Sequence, residues 1–280
     1  MKIALSLDSA CDLTKELIAQ YDFHIVPFHV SIGEEEYVDG EISALDIFAK
    51  ADAKKILPKT SAINAAAFEA HFTQLLQSYD AVIHFSIGSN LSSAYQNALT
   101  AVANLQKDNI YVVDTKNLST AIALVAIYVK NLMSEINDPK KLVAKANEIV
   151  PFVQASFIID RLDYLYKGGR CSALAFFGAN LLKLKPQINV VDGKLLTGAK
   201  FMGKSTSCVR KYCENVLKNH PHPDKSLVFI THSMATPEMV AEARQVVTDF
   251  GFQNIIETTA GGTVSCHCGK NTLGILFINE

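Results

Sequence analysis

Ala81-Val82-Ile83-His84-Phe85-Ser86-Ile87-Gly88-Ser89-Asn90 decides the fold class. Ala81 to Ser86 reads as a buried strand, and a polar turn follows it. Ser92 to Leu105 then has helical spacing, and Ile110 to Asp114 returns as a second buried strand. Working outward, Lys2 to Leu7 is a short apolar strand. Leu13 to Tyr21 is a helix with Asp12 as its expected cap. Phe23 to Ile32 alternates in the β manner, and Phe68 to Ser78 reads as helix. Leu118 to Ile136 is a long apolar helix, and Pro139 opens the next one at its first turn. Strands alternating with helices predict a mainly parallel sheet covered on both faces. Such sheets bind ligands beyond the carboxyl ends of their strands. Asp8-Ser9 and Ser86 to Asn90 are the polar clusters expected there.

The second half has a different grain. Phe152 to Ile159, Gln187 to Val191, Lys194 to Thr197, Leu227 to His232, Asn254 to Thr258 and Leu273 to Ile278 read as strands. Helices are expected near Ala173 to Leu182, Ser205 to Leu217 and Pro237 to Phe250. Val191-Asp192-Gly193-Lys194 sets Asp-Gly between two β runs, which signals a hairpin. The expected fold class is α/β in two domains. Residues 1–150 would form a Rossmann-like N-terminal domain, a mainly parallel sheet with helices on both faces. Residues 151–280 would form a C-terminal mixed α/β domain with antiparallel strands.

Composition excludes several functions. The 280 residues are 49% hydrophobic and 19% charged with a formal net charge of -2, so no basic surplus exists to neutralise nucleic-acid phosphates. The N-terminus turns acidic too soon for a signal peptide, and no apolar run reaches membrane-spanning length. The expected location is the cytoplasm, where six scattered cysteines persist as thiols. Cys266-His267-Cys268 carries metal-ligand chemistry. On an extended segment, however, the two cysteines still need two more ligands, and neither CxxC nor HxxxH supplies them. No metal is expected. No P-loop appears, and no GxGxxG follows a strand.

Four polar clusters remain. Pro58-Lys59-Thr60-Ser61 lies between helices and offers two hydroxyls, or caps the helix containing Phe68. Ser86 to Ser93 gathers hydroxyls at a strand-to-helix turn, loosely like a nucleophile elbow without its GxSxG. In Arg161-Leu162-Asp163-Tyr164-Leu165-Tyr166-Lys167-Gly168-Gly169-Arg170, adjacent glycines sit between two cations. With a helix starting at Ser172 this loop suits a phosphate or carboxylate, and it reads equally as an ordinary turn. Ala260 to Lys270 carries a second Gly-Gly pair before His267, the one side chain in that loop that titrates near neutrality. A lone histidine is more often structural. His232, at a strand end, is a weaker candidate of the same kind.

Taken in order, these clusters resemble the DegV family of bacterial fatty-acid-binding proteins over essentially the whole chain. The likeness rests on Asp8-Ser9-Ala10-Cys11-Asp12-Leu13, Pro58-Lys59-Thr60-Ser61, Ser89-Asn90-Leu91-Ser92 with Tyr95, and Val113-Asp114-Thr115. It continues through Leu162 to Arg170, Lys185-Pro186, Asp192-Gly193 and Gly262 to Gly269. The resemblance implies one long-chain fatty acid, such as palmitate or oleate, buried in an apolar channel between the domains. Ala173 to Leu182 and Leu118 to Val129 would supply wall. Thr60 and Ser92 would hold the carboxylate, supported by Ser61, Ser89, Ser93, Gly168 and Gly169. Arg170 and His267 match positions near the head group and the docking face, where they would support phosphotransfer.

The resemblance further implies a lipid-binding protein with no permanently bound cofactor, rather than an enzyme. It would present its ligand to a separate dihydroxyacetone-kinase-like fatty-acid kinase, which brings ATP and Mg and makes the acyl phosphate. The chain departs from the family pattern at Ala62-Ile63 (usually Gln-Pro), Ser93-Ala94 (usually Gly-Thr), Met202 (commonly Arg) and Gly269-Lys270-Asn271 (usually Gly-Pro-Gly). Several of these lie near the head group or the docking face. The alternative from another class is a small serine-dependent hydrolase or acyltransferase using the Ser86 to Ser93 nest with His267.

Overall fold

The computed structural model describes residues 1–171 and 184–279. The helix expected near Ala173 to Leu182, with its start at Ser172, lies outside the described residues. The first half runs β1 (Ile3–Asp8), α1 (Lys15–Tyr21), β2 (Phe23–Val26), β3 (His29–Ile32), β4 (Glu35–Val38), α2 (Ala44–Lys54), β5 (Lys59–Ser61), α3 (Ala65–Leu75), β6 (Ala81–Ser86), α4 (Ala94–Leu105), β7 (Ile110–Asp114), α5 (Thr120–Leu132) and α6 (Pro139–Ile149). The rest runs β8 (Val153–Ile158), α7 (Asp163–Lys167), β9 (Leu184–Val191), β10 (Lys194–Met202), α8 (Ser205–Asn219), β11 (Leu227–Ser233), α9 (Pro237–Phe250), β12 (Asn254–Thr259), α10 (Gly262–Cys268) and β13 (Thr272–Ile278).

The protein is α/β. The strand read at Ala81 to Ser86 lies inside a four-stranded parallel sheet ordered β2-β1-β6-β7. β1 and β6 are buried at every position, which is why apolar residues dominate them; the polar side chains they bury pair with one another, Ser6 with His84 at 2.9 Å and Ser86 with Asp8 at 3.2 Å. Three readings of this half are corrected. Phe23 to Ile32 is two strands, because Pro27 has no N–H for a ladder. The chain leaves the parallel sheet there, and β3 becomes the centre of a small antiparallel sheet, β4-β3-β5. Thr60 and Ser61 belong to β5 and cap nothing; Asn64 caps α3 by accepting from Ala67 N at 2.9 Å. Thr14, not Asp12, caps α1.

A six-stranded sheet, β10-β9-β8-β13-β11-β12, is antiparallel except between β11 and β12. Asp192 and Gly193 have φ of 48° and 75°, the positive values that a two-residue hairpin turn demands, and they join β9 to β10. α5 lies between the two large sheets, against β1 and β6 of one and β8 and β13 of the other. It is therefore apolar nearly all round. One hydrophobic core runs from Leu5 and Ile83 through α5 to Phe157 and Leu276. A second core lies under α8 and α9. Among the described residues no helix is long and apolar enough to cross a membrane.

Candidate functional site

A narrow cavity opens beyond β6 and β7. Ile87, Leu91 and Ser92 reach it from the turn after β6, and Leu118 from the loop after β7. Thr60 reaches it from β5, Phe157 from β8, Leu195 from β10 and Val264, His267 and Cys268 from α10. Thr60, Ser92, Arg170 and His267 thus line one cavity whose other walls are mainly apolar. Strand alternation explains the choice in β5, because neighbouring side chains point to opposite faces: Thr60 is half-buried and Ser61 is exposed. Ser89 and Ser93 are also exposed and do not line this cavity.

His267 is held by position and by charge. Its Nε2 lies 2.8 Å from Thr60 Oγ1, and its Nδ1 is buried without a partner among the described residues. Burial, with the Arg170 charge adding to it, pushes its pKa down to about 4, so the ring is neutral at pH 7. Arg170 donates from Nη1 to Gly168 O at 2.5 Å and from Nε to Leu91 O at 3.3 Å. Among the described residues no carboxylate pairs with it. Ser92 Oγ accepts from Ala94 N at 3.2 Å at the start of α4, which leaves its proton available to a ligand.

The Gly168-Gly169 pair is not an anion nest. The segment is a helix C-terminus, and its amides are used there. Gly168 N donates to Tyr164 O, Gly169 N to Tyr166 O and Arg170 N to Leu165 O. Gly169 has φ of +72°, the left-handed value common just past a helix end. Gly168 is glycine for another reason: an added Cβ would lie 2.6 Å from His267 Nδ1 and 2.9 Å from Tyr164 O. The histidine segment is likewise a helix, α10, rather than a loop or extended strand. Residues two apart on a helix diverge by about 200°, so Cys266 packs with Val30 and Ile32 while Cys268 faces the cavity. Among the described residues no three His, Cys, Asp or Glu side chains are grouped to hold a metal ion.

Ser86 is fully buried and donates to Asp8 Oδ2 at 3.2 Å. Its hydroxyl is thus committed to Asp8, as His267 Nε2 is to Thr60. Sequence reasoning missed the carboxylates that clasp the walls. Asp12, with φ of 52°, accepts from Gly261 N at 2.8 Å and from Ser119 Oγ at 2.5 Å. Burial raises its pKa well above the carboxylate range, against those hydrogen bonds and with Asp39 nearby. Asp39 accepts from Ser9 Oγ at 2.7 Å, and Ser9 Oγ accepts from Phe28 N at 3.0 Å. Asp12 and Gly261 are 249 residues apart, so no local pattern announces the clasp.

The DegV family model, described as an uncharacterised protein family, matches residues 2–280. A DegV domain-containing protein of Clostridium perfringens is 25% identical over 282 residues, covering 100% of this chain and 99% of that protein. A solved structure described as fatty acid binding of a DegV family protein from Thermus thermophilus superposes with a TM-score of 0.90 at 25% identity, covering 100% of both chains. DegV of Bacillus subtilis, described as a fatty acid binding protein, shares the fold with a TM-score of 0.85 at 24% identity, again over 100% of both chains.

Proposed function

The chain belongs to the DegV family, and on that premise we propose that it binds one long-chain fatty acid, such as palmitate or oleate. The hydrocarbon fills the cavity, and the carboxylate meets Thr60, Ser92 and Arg170. The observation that carries this reading is a mainly apolar cavity bearing three hydroxyls, of Thr60, Ser92 and Thr263, and a guanidinium without a carboxylate partner among the described residues. A carboxylate leaving water must be hydrogen-bonded or paired, and these groups are suited to it. Each buried methylene adds about 0.8 kcal/mol, enough to hold a long chain tightly. Fatty acid binding by the Thermus thermophilus relative supports the same reading. Residues 1–150 and 151–280 form the two domains, with the lipid between them.

In this reading the protein acts in the cytoplasm and is not itself the enzyme. It presents its carboxylate to a dihydroxyacetone-kinase-like fatty-acid kinase, which supplies ATP and Mg and forms the acyl phosphate. Arg170 and His267 support that transfer at the cavity mouth. Native mass spectrometry of protein purified from bacteria tests the binding. Recovery of unliganded protein that takes up neither palmitate nor oleate would overturn it. With a cognate kinase, Arg170→Ala or His267→Ala should lower phosphorylation more than lipid binding, and unchanged turnover would remove that residue from the transfer.

A further inference from the structure

We infer that Phe157 is an internal gate that divides the acyl channel into two compartments and sets the chain length this protein accepts. The inference rests on the fatty-acid reading above. A second narrow cavity lies beside the first, and Leu118, Phe157, Val264 and Cys268 line both. These four side chains are the partition. Phe157 is the largest of them and is 6% exposed. It sits on β8 directly opposite Gly274 on β13. A Cβ on Gly274 would come within 3.3 Å of Phe157 Cβ and 2.6 Å of Ser156 O. Gly274 thus lets β13 pass close beside the Phe157 side chain.

The second compartment suits hydrocarbon although hydroxyl residues line it, because their hydrogen bonds run within the protein. Ser119 donates to Asp12, Ser233 to Ser265 at 3.0 Å and Thr272 to Cys268 O at 3.0 Å. Thr231 pairs with Thr258 at 2.9 Å, and Ser156 with Tyr212 at 3.0 Å. His232 is the polar exception, with Nδ1 unpartnered and Nε2 3.4 Å from Glu257. A wall whose polar groups are satisfied internally accepts methylenes without a desolvation penalty. A shorter acyl chain fills only the first compartment. A longer one has to displace the Phe157 ring before its terminal methylenes find wall.

Affinity should therefore rise about fourfold per added methylene and then level off where the chain meets the ring. The experiment measures displacement of a fluorescent fatty acid from delipidated protein by saturated acids from decanoate to icosanoate. The native protein, Phe157→Ala and Val264→Ala are compared, with circular dichroism to check folding. Phe157→Ala should move the break to longer chains and raise affinity there at least fourfold per methylene gained. Val264→Ala thins the same partition while keeping the ring, so it should move the break the same way by less; it decides the matter if Phe157→Ala does not fold. If all proteins bind fatty acids with the same break, the gate is overturned and the fatty-acid reading stands. If none binds any acid, both fall.

Discussion

Replacing Gly168 with alanine should disturb the site through one contact. The new Cβ would stand 2.6 Å from His267 Nδ1 and 2.9 Å from Tyr164 O. The carbonyl belongs to the α7 backbone and yields little, so the imidazole must move away from Thr60. Overpacking of this kind costs about 1–3 kcal/mol, and losing the Thr60–His267 hydrogen bond costs about 1 kcal/mol more. Against that, alanine removes unfolded-state freedom worth about 0.4–1 kcal/mol, and the backbone at Gly168, with φ of -70°, accepts it without strain. The net is a loss of about 1–3 kcal/mol, which at this chain length lowers Tm by roughly 2–5 °C. Gly169→Ala is the control. Its added Cβ meets nothing within 4 Å, so it incurs only the left-handed backbone cost of about 1 kcal/mol. Differential scanning calorimetry and palmitate titration of both variants separate the two effects. A Gly168→Ala protein that melts at or above the native temperature and binds palmitate normally would refute the reasoning.

Three further outcomes are expected. Thr60→Val and Ser92→Ala each remove a hydroxyl from a charged ligand, a loss of about 1.5–3 kcal/mol, so each should weaken palmitate roughly ten- to a hundredfold; calorimetric titration with no change would show that the carboxylate lies elsewhere. His267 and His71 are pushed down to about 4, mainly by burial, so the unfolded chain binds more protons than the folded one from about pH 6.5 down to about 4. The stability present above that window should be lost on acidification, by up to about 3 kcal/mol per histidine; urea midpoints that stay level from pH 7 to 4 would contradict it, and His71→Gln should flatten part of the slope. Asp12→Ala strands Ser119 Oγ and Gly261 N, at about 1–3 kcal/mol each, so the midpoint should fall steeply and Asp12→Asn should recover part of it; a midpoint unchanged in Asp12→Ala would show that the clasp adds nothing.

What could be read from the chain alone was whatever its neighbours in sequence dictate. β1 and β6 announce themselves because strands buried on both faces are mainly apolar, whereas β7, read as buried, is a half-buried edge strand. Asp192-Gly193 announces a hairpin because its turn needs positive φ at both residues. Thr60, Ser92, Arg170 and His267 could be named in advance from motifs, since each motif is a short run. Tertiary structure decided what those runs do. Pro27 splits one β run between two sheets, and that places Thr60 on the inward face of β5 with Ser61 turned to solvent. The expectation for Gly168-Gly169, an anion nest or a turn, resolves into a helix end whose first glycine makes room for an imidazole 99 residues further on. Asp12, read as a local cap, instead ties three distant segments around the cavity. The physical reason is the same throughout. Periodicity and turn chemistry act between neighbours in the chain, whereas burial, close approach and the pairing of buried polar groups depend on which segments the fold brings together.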